Sequence, residues 1–172
     1  MTPPLLLAPL KRETFFHLEV PGDFYWLCRE PVVLAGMAYP SWPSLWAEMY
    51  AVGLRHVVCL TADEFPYDPD PLNPLDAVAL QDLFGGRLPV GPDRERECIY
   101  KIARQAAHRL EKGEGVVVHC AGRTGTVPGC VLRALGFEAV EVLRYLNALH
   151  QKRGHDGWPE SGWQATVVEE FR

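Results

Sequence analysis

The sequence predicts an α/β fold: a central, largely parallel sheet flanked by helices. Three observations carry that expectation. Short apolar runs rich in β-branched residues recur along the chain, as buried strands do. Between them lie longer stretches with apolar residues at helical spacing. The two kinds alternate, and strands alternating with helices favour parallel pairing through right-handed crossovers.

In chain order, Val32–Met37 is a first buried strand. Leu45, Trp46, Met49 and Tyr50 then recur at helical spacing, and Gly53 offers a C-terminal stop. His56–Leu60 is a second apolar strand. Asp63–Leu75 carries four prolines and reads as a long surface loop, equally suited to a site wall or an inert excursion. Ala77–Leu83 reads as a third strand.

Next, Asp93 can cap a helix whose stripe is Ile99, Ile102, Ala103, Ala106, Ala107 and Leu110, ended by Gly113. Gly115–Cys120, with its Val116-Val117-Val118 core, is a buried strand, and a helical stretch follows through Leu132 and Leu135 to Gly136. Two helices complete the chain: Glu138–Lys152, and a last one holding Trp163, Val167 and Phe171.

Composition narrows the function classes. The chain has 172 residues, 48% hydrophobic and 23% charged, which suits a single globular domain over residues 1–172. Residues 1–14 read as a flexible N-terminal segment; the run Leu5-Leu6-Leu7 lacks the preceding positive region and the length of a signal peptide or membrane span. A net charge of −5 with dispersed basic residues gives no electrostatic footprint for nucleic acid. The five cysteines form no C-x-x-C pair, and the six histidines show no metal-ligand spacing. The expectation is a cytoplasmic, monomeric protein without metal or cofactor, and without nucleic-acid or membrane partners.

The chemistry concentrates in His119-Cys120-Ala121-Gly122-Arg123-Thr124-Gly125-Thr126. Cys120 ends a strand just before a helix, the place where open α/β sheets bind ligands. A thiol there meets the unpaired amides and positive end of the helix, which favour a thiolate and a bound anion. Small residues let backbone amides approach a phosphate, and a guanidinium grips two of its oxygens. A buried inert thiol is the usual fate of a cysteine ending a strand. Gly-Arg-Thr-Gly on a strand–turn–helix makes that reading a poor one here.

These residues resemble the signature loop of protein tyrosine and dual-specificity phosphatases. Asp23-Phe24-Tyr25-Trp26-Leu27 and Leu34-Ala35-Gly36-Met37-Ala38-Tyr39-Pro40 resemble the opening of the small atypical dual-specificity type. Gly53–Thr61 is similar to their next strand, and Glu160-Ser161-Gly162-Trp163-Gln164 to the segment that brings a glutamine toward the site. The resemblance covers about Phe24 to Phe171 and implies a protein tyrosine phosphatase-like architecture. Its substrates would be phosphorylated proteins or other phosphate monoesters.

The resemblance also implies roles. Cys120 is the nucleophile that forms a cysteinyl-phosphate, and Arg123 holds the equatorial oxygens. Thr124 hydrogen-bonds the sulfur, and His119 orients the loop and helps activate the thiol. Ala121, Gly122, Arg123, Thr124 and Gly125 form the phosphate loop. Asp82, in Asp82-Leu83-Phe84-Gly85-Gly86-Arg87-Leu88-Pro89, is the candidate general acid, on a loop whose paired glycines permit movement. A solvated turn former is its plainer reading. Asp63, Glu64, Asp68 and Asp76 lack a comparable strand-end Gly/Pro context. Gln164 would position the hydrolytic water, although a helix glutamine is as readily surface.

One departure stands out. The family places five residues between its cysteine and arginine; here only Ala121 and Gly122 intervene. Two residues cannot trace the same inward arc of amides. The sequence leaves open a rearranged but active cradle, a loop shortened by deletion, or a pseudophosphatase that binds phosphate-bearing partners without turnover. A thiol redox sensor is a further alternative, which would need Cys28, Cys59 or Cys130 as resolving partner.

Overall fold

The computed structural model describes residues 24–40, 45–120 and 125–172. The N-terminal segment expected for residues 1–14 lies outside them, as does Asp23. The described residues fall into two compact units, one of residues 24–80 with 108–120 and the other of residues 81–107 with 125–172.

The first unit holds a five-stranded sheet. Its strands are β1 (Tyr25–Cys28), β2 (Leu34–Ala38), β3 (Leu54–Cys59), β4 (Asn73–Ala77) and β5 (Gly115–Cys120), ordered β1-β2-β5-β3-β4. Only β1 is antiparallel to its neighbour; β2, β5, β3 and β4 run parallel. β5 is buried at every residue, which explains its unbroken apolar run: a central parallel strand faces apolar surroundings on both sides.

One face of the sheet packs under α1 (Leu45–Ala51). Trp26, Ala35, Met37, Leu54, Val57 and Val117 join Trp46 and Met49 in a single apolar cluster, with Phe65 and Tyr67 against it. Leu54 and Val57 share that face although an odd spacing separates them. A register irregularity between Leu54 and His56 resets the alternation.

The second unit carries most of α2 (Pro92–Glu111), then α3 (Thr126–Ala134), α4 (Ala139–Lys152) and α5 (Gly162–Glu170). The last three pack on one another through Val127, Cys130, Val131 and Leu132 of α3, Val142, Leu146 and Leu149 of α4, and Val167 and Val168 of α5. Among the described residues, no helix is long and apolar enough to cross a membrane.

Two expectations from the sequence need correction. The third parallel strand is Asn73–Ala77 rather than Ala77–Leu83. Pro74 argued against a strand because it donates no ladder hydrogen bond, but β4 lies at the sheet edge, where proline is tolerated. Ladder bonds continue past the strand's end, from Val78 N–H to Cys59 O (2.9 Å) and from Leu80 N–H to Leu60 O (3.1 Å). The helix expected to be capped by Asp93 begins at Pro92, which places Asp93 inside the first turn. Proline with its fixed φ suits that first helical position.

Candidate active site

β5 brings His119 and Cys120 to its C-terminal end. Ala38 pairs with Cys120 on the β2 side, and Met37 and Cys59 pair with His119 from either side. Leu60 N–H donates to the His119 carbonyl (3.0 Å), fixing the strand to its last residues. Cys120 is buried, at 9% exposure.

His119 is fully buried. Its Nε2 hydrogen-bonds the Tyr67 hydroxyl, and the Tyr39 ring meets the imidazole edge-on, 5.7 Å between centroids. Tyr39 also contacts Tyr67 edge-on (6.2 Å), and Tyr67 stacks on Trp46 (5.2 Å). Burial pushes the His119 pKa down to about 4, and burial likewise pushes the Tyr67 phenol well above its ordinary range. The imidazole is therefore neutral near pH 7. It acts on its neighbours through orientation and dipole, not through a positive charge. Tyr67 was not singled out from the sequence, where it is one aromatic in the proline-rich segment 63–75.

Ala121, Gly122, Arg123 and Thr124, four of the expected phosphate-loop residues, lie outside the described residues. Beyond them, Gly125 caps α3, and Thr126 opens it and is buried. Gly125 lies against Trp158: an added Cβ would stand 2.7 Å from the indole Nε1, so no larger residue fits without displacing a ring that is 2% exposed. Pro128 lies in the first turn of α3, where its missing amide leaves no bond unmade.

In the second unit, Asp82 is exposed, next to a short 3-10 turn, Phe84–Gly86. Gly85 and Gly86 take φ of 72° and 80°, left-handed values that glycine adopts freely. Gln164 is buried on α5, and its Oε1 accepts the N–H groups of Ser161 (3.1 Å) and Glu160 (2.8 Å). Its carbonyl oxygen thus caps its own helix, in the manner of a capping-box glutamine. Among the described residues, no group of three or more His, Cys, Asp or Glu side chains is placed to hold a metal ion.

The family model of PTP-SAK, the DSP-PTPase phosphatase domain of Swiss Army Knife proteins, matches residues 21–155. The chain belongs to this family.

The phosphatase domain also resembles solved structures. Tk-PTP in its active form is 26% identical with a TM-score of 0.57, over 80% of this chain and 90% of that one. A glycine-to-alanine mutant form of Tk-PTP matches at 22% identity and TM-score 0.58, over 87% and 93%. A candidate protein tyrosine phosphatase from Leishmania major matches at 16% and 0.54, over 87% and 98%. At their identities the last two bear on the fold alone. The mixed, mostly parallel sheet flanked by helices is the one these neighbours share. The matched region of the phosphatase domain ends before α5, so the segment carrying Gln164 lies beyond it.

Proposed function

We propose that this phosphatase domain hydrolyses phosphate monoesters in proteins, phosphotyrosine and also phosphoserine or phosphothreonine, through a cysteinyl-phosphate on Cys120. The observation that carries the reading is the position of Cys120 at the C-terminal end of the central strand of a phosphatase-family sheet. In the first step the Cys120 sulfur attacks phosphorus and the phosphorus–oxygen ester bond breaks. Asp82 gives its proton to the departing oxygen. Arg123 holds the non-bridging oxygens, with amides of Ala121, Gly122, Thr124 and Gly125 around them. His119, neutral and braced by Tyr67, orients the end of β5.

In the second step Asp82 takes a proton from water positioned by Gln164, whose Nε2 is not needed for the helix cap. The oxygen attacks phosphorus, the sulfur–phosphorus bond breaks, and inorganic phosphate leaves. Thr124 hydrogen-bonds the sulfur as it departs. The odd number of cysteines and the lack of any C-x-x-C pair in the sequence favour a reducing compartment such as the cytoplasm.

The test is aryl-phosphate hydrolysis by wild type, Cys120→Ser and Asp82→Asn, on protein of verified intact mass. Cys120→Ser is expected to abolish turnover. Asp82→Asn should lower kcat by roughly 10²–10⁴-fold and flatten the basic limb of the pH profile. Turnover that survives Cys120→Ser would refute the sulfur nucleophile; an unchanged pH profile in Asp82→Asn would remove that residue as the acid.

A further inference from the structure

We propose that Gln81 and Glu95 are positioning residues: together they clamp the base of the loop that presents Asp82, and so set the geometry of proton transfer. The proposal rests on the reading of Asp82 as the general acid.

Four hydrogen bonds meet on one side chain and its backbone. Gln81 Nε2–H donates to Glu95 Oε2 (2.6 Å) and to the Val90 carbonyl (2.9 Å). Gln81 Oε1 accepts the Val90 N–H (2.8 Å). Gln81 N–H donates to Glu95 Oε1 (3.0 Å). The glutamine amide thus pairs with the Val90 backbone at two points, as a neighbouring strand would, and closes the segment 82–89 at its neck. Glu95 uses both carboxylate oxygens to fix the residue immediately before Asp82.

Glu95 is itself anchored. It lies in the first turn of α2, its N–H bonded to the Gly91 carbonyl (3.1 Å), and it is 8% exposed. A carboxylate this buried is tolerated when it is fully hydrogen-bonded, and the positive end of a helix favours it. Beyond the clamp, Leu83 and Pro89 are buried, while Asp82 and the tip of the loop are exposed. At Gly85 and Gly86 no atom lies within 4 Å of where a Cβ would stand, and Arg87, Leu88 and Val90 are exposed. The clamp fixes the backbone that enters Asp82 from one side, and buried Leu83 holds it from the other. An interaction that merely stabilised the fold would not need to grip both ends of the one segment that carries the acid.

Leaving-group dependence separates the two. Phenyl phosphate needs protonation of its departing oxygen; dinitrophenyl phosphate, whose phenolate is stable, does not. Glu95→Ala and Gln81→Ala should lower kcat on phenyl phosphate about 10- to 100-fold, the range for a group displaced by about 1 Å. Turnover of dinitrophenyl phosphate and both KM values should stay near wild type. The exchange Gln81→Glu with Glu95→Gln keeps the bonds between the two side chains and to the Val90 N–H but sets a carboxylate oxygen against the Val90 carbonyl, so it should recover part of the loss. Amide hydrogen exchange at Gln81 and Val90, followed in the same variants, should quicken in Glu95→Ala.

Equal losses on both substrates, or unchanged exchange at Val90, would overturn the clamp. Asp82→Asn serves as the reference. If it discriminates between the substrates and Glu95→Ala does not, the clamp alone is wrong. If Asp82→Asn slows both substrates equally, the acid assignment fails and the positioning role falls with it, even where exchange shows a loop still held.

Discussion

His119 is the residue at which burial has the clearest thermodynamic consequence. Its folded pKa, lowered to about 4 by desolvation, lies below the ordinary value of 6.5. Between those values the unfolded chain binds a proton that the folded chain does not, so stability falls as pH drops through that window and is fully present above it. At about 1.4 kcal/mol per pKa unit, the loss is on the order of 3 kcal/mol. Urea denaturation at pH 7 and pH 4.5 should show the wild type losing more stability on acidification than His119→Gln; parallel curves would contradict this account. Tyr67→Phe, which strips the buried imidazole of its partner, should cost about 1–3 kcal/mol at pH 7. The candidate site pair His119-Cys120 was legible in the sequence because its motif is contiguous. Tyr67 was not, since its bond to His119 links positions far apart in the chain and nothing local distinguishes it from other loop aromatics.

Among the elements, α3 is tightly constrained at its N-terminal cap, Gly125. Gly125→Ala would drive a methyl into the Trp158 indole, at 2.7 Å from Nε1 and 2.8 Å from Cδ1. Overpacking of this kind costs typically about 1–3 kcal/mol. Thermal melts should show the loss in Gly125→Ala, with Trp158→Phe partly relieving it in the double variant; a melt like wild type would mean that the indole yields. Strands and helices with strong periodicity, such as Gly115–Cys120 and the helix ending at Lys152, were readable because burial dictates both their composition and their spacing. β4 was misplaced because edge position, a tertiary property, decides whether Pro74 is allowed. The Gln81–Glu95 clamp was invisible for the same kind of reason: a polar loop residue and a helix glutamate carry no local sign that they meet.

For the whole molecule, alternation of strand and helix patterns sufficed to predict the mostly parallel sheet, since the rules that link alternation to topology are general. Function at this scale is also electrostatic. With a net charge of −5, the long-range field opposes an anionic substrate, and binding must rely on donors focused at the site. Salt screens the field beyond a Debye length of about 10 Å at 0.1 M while leaving close contacts largely intact. Accordingly, kcat/KM for a phosphopeptide with acidic flanks should rise when ionic strength increases, and a peptide with neutral flanks should change less. A steep fall with salt for both would indicate a basic binding surface that the sequence does not advertise.

The proline that hid β4 has a further effect. A parallel sheet ends in an open row of peptide groups, and such a row templates the addition of foreign strands. Here that margin is five residues long, exposed at Asn73 and Pro74, broken in register opposite Val57 and Val58, and short of one amide donor. The same irregularity makes the strand's outer rim a poor seed for aggregation, so the strand that ends in Cys120 can sit two places inward without the sheet inviting fibrillar growth from that side.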